Sequence, residues 1–487
     1  MISLKKLLAE TIPDGSMVFP PSDVLIKGLE CDSKKIQEGF LFFAIRGTKI
    51  DGAGFVREAI DRGAAGVVAD RCVDLPKAMP LILVSDCRLA MARLASGFYG
   101  NPSARMQMVG ITGTNGKTTS SYLIEHLLLK QNKKVGVLGT VNYRFGDKKI
   151  PAVETTPGPL RIQEILAEMA DESCEVAVME VSSHALDQHR TGGIDFKTAL
   201  FTNLTQDHLD YHGSMKNYFE CKSRLFTALS GGSFSILNHD DEWARKLEKK
   251  GSSRVITYGI ESGADLSACG IKWKEGFIFF EVTFQKKKIA VHLPLIGRHN
   301  VYNALGSLAV LGSLGFDVEK CAGDLADFKG VPGRLEAVRA GQDFLVFVDF
   351  AHTPDGLLNV LESLKPYQKN KLIVVFGCGG DRDKGKRPQM GRIAGQHADQ
   401  MIITSDNPRS EDPKMIAQEI REGLPLGFKN YSIVLDRKKA IRQALLSAKK
   451  GDIVLLAGKG HETTQIIGEE TFPFNDKEEA ERVLNGH

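Results

Sequence analysis

Two rhythms of apolar and polar residues alternate along the chain and divide it into three blocks. The last block shows the pattern best. Five short apolar runs, at Phe344–Phe350, Leu372–Phe376, Gln400–Thr404, Tyr431–Leu435 and Ile453–Ala457, are separated by stretches with helical spacing. Strands alternating with helices predict a parallel sheet wound on both faces, with ligands at the carboxyl ends of the strands. The first block has strand-like runs at Phe40–Ile45, Ala65–Ala69 and Leu81–Val84, and closes at the turn signal Asn101-Pro102. In the second, Met106, Met108 and Val109 lead into a glycine-rich turn, and Tyr122, Leu123, Ile124, Leu127 and Leu128 follow at helical spacing. Further strands are predicted at Val135–Leu138, Val176–Val181, Thr198–Thr202 and Ser235–Leu237. Alternating segments near Arg254–Tyr258, Gly276–Phe284 and Lys288–Leu293 predict an antiparallel addition, and a helix is predicted over Val301–Leu314. The expected fold is α/β in three domains, 1–100, 101–331 and 332–487, the second boundary falling at the turn Gly330-Val-Pro-Gly-Arg334.

Composition narrows the class of protein without changing this picture. Of 487 residues, 42% are apolar and 25% charged, ordinary for a globular protein. A net charge of +3 demands neither nucleic acid nor a membrane as partner. The eight cysteines are scattered with no C-x-x-C pair, which points to reduced thiols and away from a zinc site or disulfide framework. The N-terminal residues Met1-Ile-Ser-Leu lack the apolar core of a signal peptide, and no apolar run approaches the ~20 residues that span a bilayer. A cytoplasmic monomer without stable membrane insertion is expected.

The chemistry begins at the glycine-rich turn, Gly113-Thr114-Asn115-Gly116-Lys117-Thr118-Thr119. A strand, such a turn and a helix present backbone N–H groups and a helix N-terminus to an anion. Lys117 suits terminal phosphates and the Thr118 hydroxyl suits Mg²⁺. The spelling departs from G-x-x-x-x-G-K-[ST], because Ile111 stands five residues before Gly116. Glu180 closes an apolar strand and is a natural Mg²⁺ ligand beside a phosphate loop. After the next strand, Asp207 and His208 suggest metal or general-base work, or simply a polar loop. His299, Asn300 and Asn303 suit either a purine edge or a helix cap. Polar clusters follow four strands of the third block, at Asp349–Asp355, Gly377–Arg387, Asp406–Arg409 and Gly458–Glu462. On one edge of one sheet they make a site.

Taken in order, these residues resemble the Mur ligase family over nearly the whole chain, and Asp406-Asn407-Pro408-Arg409 resembles its diaminopimelate-adding branch. The resemblance implies a UDP-binding first domain, a central ATPase and a Rossmann-like third domain. It implies ATP-dependent, ADP-forming addition of meso-diaminopimelate to the D-glutamate γ-carboxylate of UDP-N-acetylmuramoyl-L-Ala-D-Glu, in cytoplasmic peptidoglycan precursor synthesis. By resemblance, Asp32, Ser33, Lys34, Thr48, Lys49 and Ile50 would hold the uridine nucleotide. Thr155, Thr156, Ser182, Gln188 and Arg190 would hold the muramoyl-peptide. Thr118, Glu180, His208 and Lys222 would surround Mg²⁺, with Lys222 matching a lysine that the family carbamylates. For ATP, His299 and Asn303 would meet adenine, Asp349 the ribose and Arg334 the phosphates. Arg382, Asp406, Asn407, Pro408, Arg409, Gly458 and Glu462 would bind diaminopimelate, Arg409 facing its second carboxylate. An unpaired buried guanidinium costs ~3–5 kcal/mol, so lysine would be rejected there. Residue 154 departs from the pattern: it is Glu where relatives commonly have Asn.

Overall fold

Leu372–Phe376 and Ile453–Ala457 are buried at every position, a condition met by strands covered on both faces. They are the middle of a six-stranded sheet in the order Glu336–Ala337, Leu345–Asp349, Ile453–Ala457, Leu372–Phe376, Gln400–Ile403, Tyr431–Ile433. The last five strands of that order are parallel, and Glu336–Ala337 pairs antiparallel at the edge. Two apolar clusters cover the sheet, one around Leu357, Leu361, Met390 and Ile420 and one around Ile441, Leu445 and Ala480.

This computed structural model describes residues 1–486 apart from 13–16, 20–22, 48–49, 261–262 and 275. The chain forms two compact units, Met1–Leu266 with Leu305–Cys321, and Ser267–Ala304 with Ala322–His487. Besides the short antiparallel pair Ile2–Ser3 with Leu25–Ile26, the described residues of the first unit form two larger sheets. One runs Met17–Phe19, Leu81–Leu83, Gly66–Ala69, Phe40–Phe43, Gly28–Glu30, parallel except for its first strand. In the other, Val135–Leu138, Val176–Glu180, Gln107–Thr112, Phe196–Phe201, Phe234–Asn238 and Arg254–Gly259 lie parallel in that order. In the second unit, Phe277–Phe284 pairs antiparallel with Lys287–Leu293, as their alternation predicts; Arg254–Gly259, expected in the same antiparallel addition, instead extends the parallel run beside Phe234–Asn238.

The α/β class holds, with differences at the edges. The hairpin Asn142–Phe145 with Lys148–Pro151 was not expected, nor was Thr464–Ile467 with Glu470–Pro473. The outer strand of each has no buried residue, so no apolar alternation announces it. The predicted helix over Val301–Leu314 runs Arg298–Ser313. Among the described residues no helix is long and apolar enough to cross a membrane.

Candidate active site

In the first unit the strand Gln107–Thr112 delivers the glycine-rich loop to the helix Lys117–Lys130. Gly113 has φ +149°, and a Cβ there would lie 1.9 Å from Thr202 Oγ1. Only glycine fits so close an approach. Gly116 caps the helix at φ 89°. The loop is stitched to the end of the neighbouring strand. Thr114 N–H donates to Asn203 O (2.9 Å), Asn115 N–H to Asn203 Oδ1 (3.0 Å) and Thr202 Oγ1 to Asn115 O (2.6 Å). Lys117 Nζ lies 2.9 Å from the carbonyls of Gly113 and Thr114. Thr119 is buried beneath the loop in the helix's first turn.

Glu180, 1% exposed, is the hub beside the loop. Its carboxylate accepts from Thr118 Oγ1 (3.0 Å), Thr140 Oγ1 (2.9 Å) and Thr140 N–H (3.1 Å). Its own carbonyl accepts from Thr156 Oγ1 (2.8 Å), and Thr156 Oγ1 accepts from Ser182 N–H (3.0 Å). Thr155 Oγ1 is 3.1 Å from Thr140 Oγ1. Arg190 donates to Gln188 Oε1 (3.1 and 2.9 Å) and to Thr156 O (2.7 Å). The five residues assigned to the muramoyl-peptide therefore converge on one wall with Glu180.

The four residues expected around Mg²⁺ fall into two groups. Thr118 touches Glu180. Lys222 and His208 each face the Tyr218 ring, at 4.6 Å and 6.2 Å from its centroid. Lys222 is buried and donates to Gly113 O (3.0 Å). Burial, reinforced by the charge of Lys117, pushes its pKa well below the ordinary lysine value. His208 adopts φ 52° and packs edge-on against His184, their centroids 4.9 Å apart. Among the described residues no group of three or more His, Cys, Asp or Glu stands ready for a metal ion. A hydroxyl and a carboxylate are still hard oxygen donors of the kind Mg²⁺ takes, and the residues present fit that ion.

In the second unit the strand-end loops interlock. Asn407 Nδ2 donates to Glu462 Oε2 (2.9 Å), while Asn407 Oδ1 accepts from Lys459 Nζ (3.1 Å) and Ile466 N–H (3.0 Å). Gln465 Nε2 donates to Asp406 O (2.7 Å). Gly458 has φ +111°, and a Cβ there would meet Asp406 Oδ2 at 2.7 Å. Pro408 is buried, and its carbonyl would lie 1.8 Å from a Cβ at position 380. Arg409 sits at φ 52°, its backbone paired with the hairpin strand at Ile466 and Gly468 and one guanidinium N–H on Gly380 O (2.7 Å). It is half-buried, so leaving it without an anion would cost less than for the fully buried charge expected from the sequence. Arg382 is exposed. Asp349 is buried with both oxygens on backbone N–H groups, of Leu335 (2.6 Å) and Ala351 (2.7 Å); burial raises its pKa. Arg334 lies 5.0 Å over the Phe350 ring. Asn303 is buried and donates to Asn300 Oδ1 (2.9 Å), whereas His299 is exposed, 3.3 Å from Ser363 Oγ.

Three family models match in order: the Mur ligase family catalytic domain at 25–99, the Mur ligase middle domain at 111–311, and the Mur ligase glutamate ligase domain at 333–460. A protein of Caldanaerobacter subterraneus subsp. tengcongensis is 45% identical over 95% of both chains, and one of Geobacillus kaustophilus is 45% identical over 93% of both. Both are named UDP-N-acetylmuramoyl-L-alanyl-D-glutamate--2,6-diaminopimelate ligase. The chain belongs to the Mur ligase family. A solved structure of the same name is 33% identical, with TM-score 0.71 over 94% of this chain and 95% of that one. The Mur ligase MurF of Thermotoga maritima in complex with ADP, 23% identical with TM-score 0.62, shares the fold.

For a Mur ligase, several structural supports escaped sequence reasoning. Thr140 and Ser121 hold Glu180. Lys459 lay inside a polar run already noticed. Arg437 and Asp476, both 0% exposed, had no local signal at all. Of the residues assigned to uridine, Ser33 is buried and donates to Glu58 Oε2 (2.6 Å), Asp32 caps the turn Ser33–Lys35, and Ile50 is exposed. Thr48 and Lys49 lie outside the described residues.

Proposed function

We propose that this Mur ligase adds meso-diaminopimelate to the D-glutamate γ-carboxylate of UDP-N-acetylmuramoyl-L-Ala-D-Glu, using ATP and releasing ADP and phosphate. The observation that carries the reading is identity of 45% over 95% of both chains to a ligase named for that reaction. The interlocked Asp406–Arg409 loop supports it. The setting is cytoplasmic peptidoglycan precursor synthesis by a monomer.

A carboxylate oxygen is a poor leaving group, so the acid must be activated. The γ-carboxylate attacks the γ-phosphate of ATP, giving an acyl phosphate and ADP. The free amine of diaminopimelate attacks the acyl carbon, loses a proton, and the tetrahedral intermediate expels phosphate. Two anions meet in the first step. Lys117 and the loop N–H groups between Gly113 and Thr119 offset their repulsion and stabilise the charge that develops. Arg334 and Asp349 serve ATP phosphates and ribose, and Asn303 and His299 the adenine. Thr156, Ser182, Gln188 and Arg190 orient the muramoyl-peptide beside Glu180.

Thr118, Glu180, His208 and Lys222 would hold Mg²⁺, which neutralises phosphate charge when bound. The depressed basicity of Lys222 supports its carbamylation, since a neutral buried amine is nucleophilic towards CO₂ and a cationic one is not. Asp406, Asn407, Gly458 and Glu462 grip the near end of diaminopimelate, and Arg409 its distal carboxylate with planar, two-pronged donors. Phosphate release tests this reading. It should require ATP and the muramoyl-dipeptide and proceed with meso-diaminopimelate; equal rates with lysine or ornithine would overturn the specificity.

A further inference from the structure

Arg190 is engaged by an internal carboxylate. Glu154 forms an ion pair with Arg190 Nη1, the same nitrogen that donates to Thr156 O (2.7 Å). The arginine is 16% exposed and the glutamate 50% exposed, so the pair opens to solvent on the carboxylate side. The backbone that presents Glu154 is pinned over three successive residues. Tyr143 Oη donates to Glu154 O (2.6 Å), Thr155 Oγ1 is paired with Thr140 Oγ1 (3.1 Å), and Thr156 Oγ1 donates to Glu180 O (2.8 Å). The guanidinium is also oriented, because Gln188 Oε1 accepts from both Nε and Nη2 (3.1 and 2.9 Å). An arginine fixed on two sides, with its outer edge on a half-exposed carboxylate, is an anion site holding a built-in anion.

We infer that Glu154 is a built-in competitor of the peptide substrate: its carboxylate occupies the face of Arg190 that recognises a carboxylate of the muramoyl-peptide, and the substrate must displace it to bind. This rests on the proposed function, which places that acidic peptide at Arg190. Gln188 takes the Nε hydrogen and one of Nη2, and Thr156 O and Glu154 share Nη1, so a substrate carboxylate that seeks a two-pronged grip needs the N–H that Glu154 holds. Repulsion between the two carboxylates adds to the competition. Once displaced, Glu154 has water on its open side, so the exchange leaves no carboxylate buried without a partner. The residue thus lowers affinity for the peptide substrate without touching nucleotide or amino acid.

The test is steady-state kinetics of the full chain and of Glu154→Gln and Glu154→Asp, with phosphate release as readout and each substrate varied in turn. Removing the charge should lower KM for the muramoyl-dipeptide about threefold to fivefold, the reach of an exposed ion pair. KM for ATP and for diaminopimelate should not move. Glu154→Asp retains the charge and should stay close to the parent. A KM for the dipeptide that is unchanged or raised in Glu154→Gln overturns the inference, a rise meaning that Glu154 serves to orient Arg190. If the parent chain itself releases no phosphate with the muramoyl-dipeptide, the proposed function fails instead, so the two failures are distinguishable.

Discussion

In the first unit the nucleotide loop is shaped by neutral groups. Hydroxyls of Thr114 and Thr202 and the amide of Asn203 hold it, and Glu180 has its negative charge spread over four donors, the hydroxyls of Thr118, Ser121 and Thr140 and the Thr140 N–H. In the second unit the strand-end loops are held by buried cations. Arg387, 0% exposed, donates to Glu411, Glu419 and Gly379 O. Lys459 bridges Asn407 and Glu462. Arg437 pairs with Asp476 and also donates to Ala457 O (2.9 Å) and Ser405 O (3.4 Å), the residues just before Gly458 and Asp406. Lys117 lies across the first unit's frame, its Nζ on the carbonyls of Gly113 and Thr114, and a loop proposed to admit a polyanion gains from a frame that is otherwise neutral. The loops proposed to grip a small zwitterion carry fixed charges, and buried ion pairs confer that fixity at a desolvation cost. Both sites are braced from residues distant in sequence, the glycine-rich loop by Thr202 and Asn203 and the Asp406–Arg409 loop by Lys459 and Glu462, so what separates them is the charge of the brace.

The strongest way to break that contrast is Arg437→Met. Leaving Asp476 buried and unpaired should cost about 3–5 kcal/mol of stability by denaturant unfolding. Arg437→Met combined with Asp476→Leu should restore most of it, since an apolar pair of similar volume is often neutral. A single variant as stable as the parent would mean the clamp carries no load. Next, Lys117→Ala should lower kcat about 10²–10³-fold by removing a cation aimed at developing charge, with little change in thermal midpoint. A fall in stability without loss of turnover would make the lysine part of the frame.

Arg409→Ala should reduce kcat/KM for meso-diaminopimelate about 10–150-fold, the worth of a charge-assisted hydrogen bond at ~1.5–3 kcal/mol. Lysine, lacking the second carboxylate, should lose far less. Equal losses for both amino acids would make Arg409 another brace. The smallest effect concerns pH. Hydrogen bonds from Arg387 and from the Asp381 N–H hold the Glu411 carboxyl down to about 2, against 4.5 ordinarily. A depressed carboxylate contributes stability above the unfolded value and loses it as pH falls through the folded one. Solvent screening leaves about 1 kcal/mol, lost between roughly pH 4.5 and 2. Glu411→Gln should flatten that part of the acid-unfolding curve.

Much of this was legible beforehand, because two signals are local. The strands Leu372–Phe376 and Ile453–Ala457 have the bounds read from their apolar runs, since burial on both faces leaves an unbroken pattern. The phosphate loop is legible because Gly113, Gly116 and Lys117 must be neighbours in sequence to be neighbours in space. The hairpin Thr464–Ile467 with Glu470–Pro473 was not, as its side chains stay outside the core while its backbone straps Arg409. Lys459 and Gln465 look like solvated loop residues until Asn407 and Asp406 are folded against them.

The sequence alone determined the α/β class and a glycine-rich turn suited to phosphate, which depend on periodicity and on residue types within a few positions of one another; the amino acid expected came from the resemblance of Asp406–Arg409 to the diaminopimelate-adding branch of the family. Tertiary structure alone decided which groups are neutralised and which stay available. It buried Lys222 beneath the loop, where its charge is disfavoured, and joined Arg437 to Asp476 across 39 residues. It also laid Glu154 on Arg190, 36 residues away. Charge pairing and desolvation depend on distance and burial in space, and no local pattern encodes either.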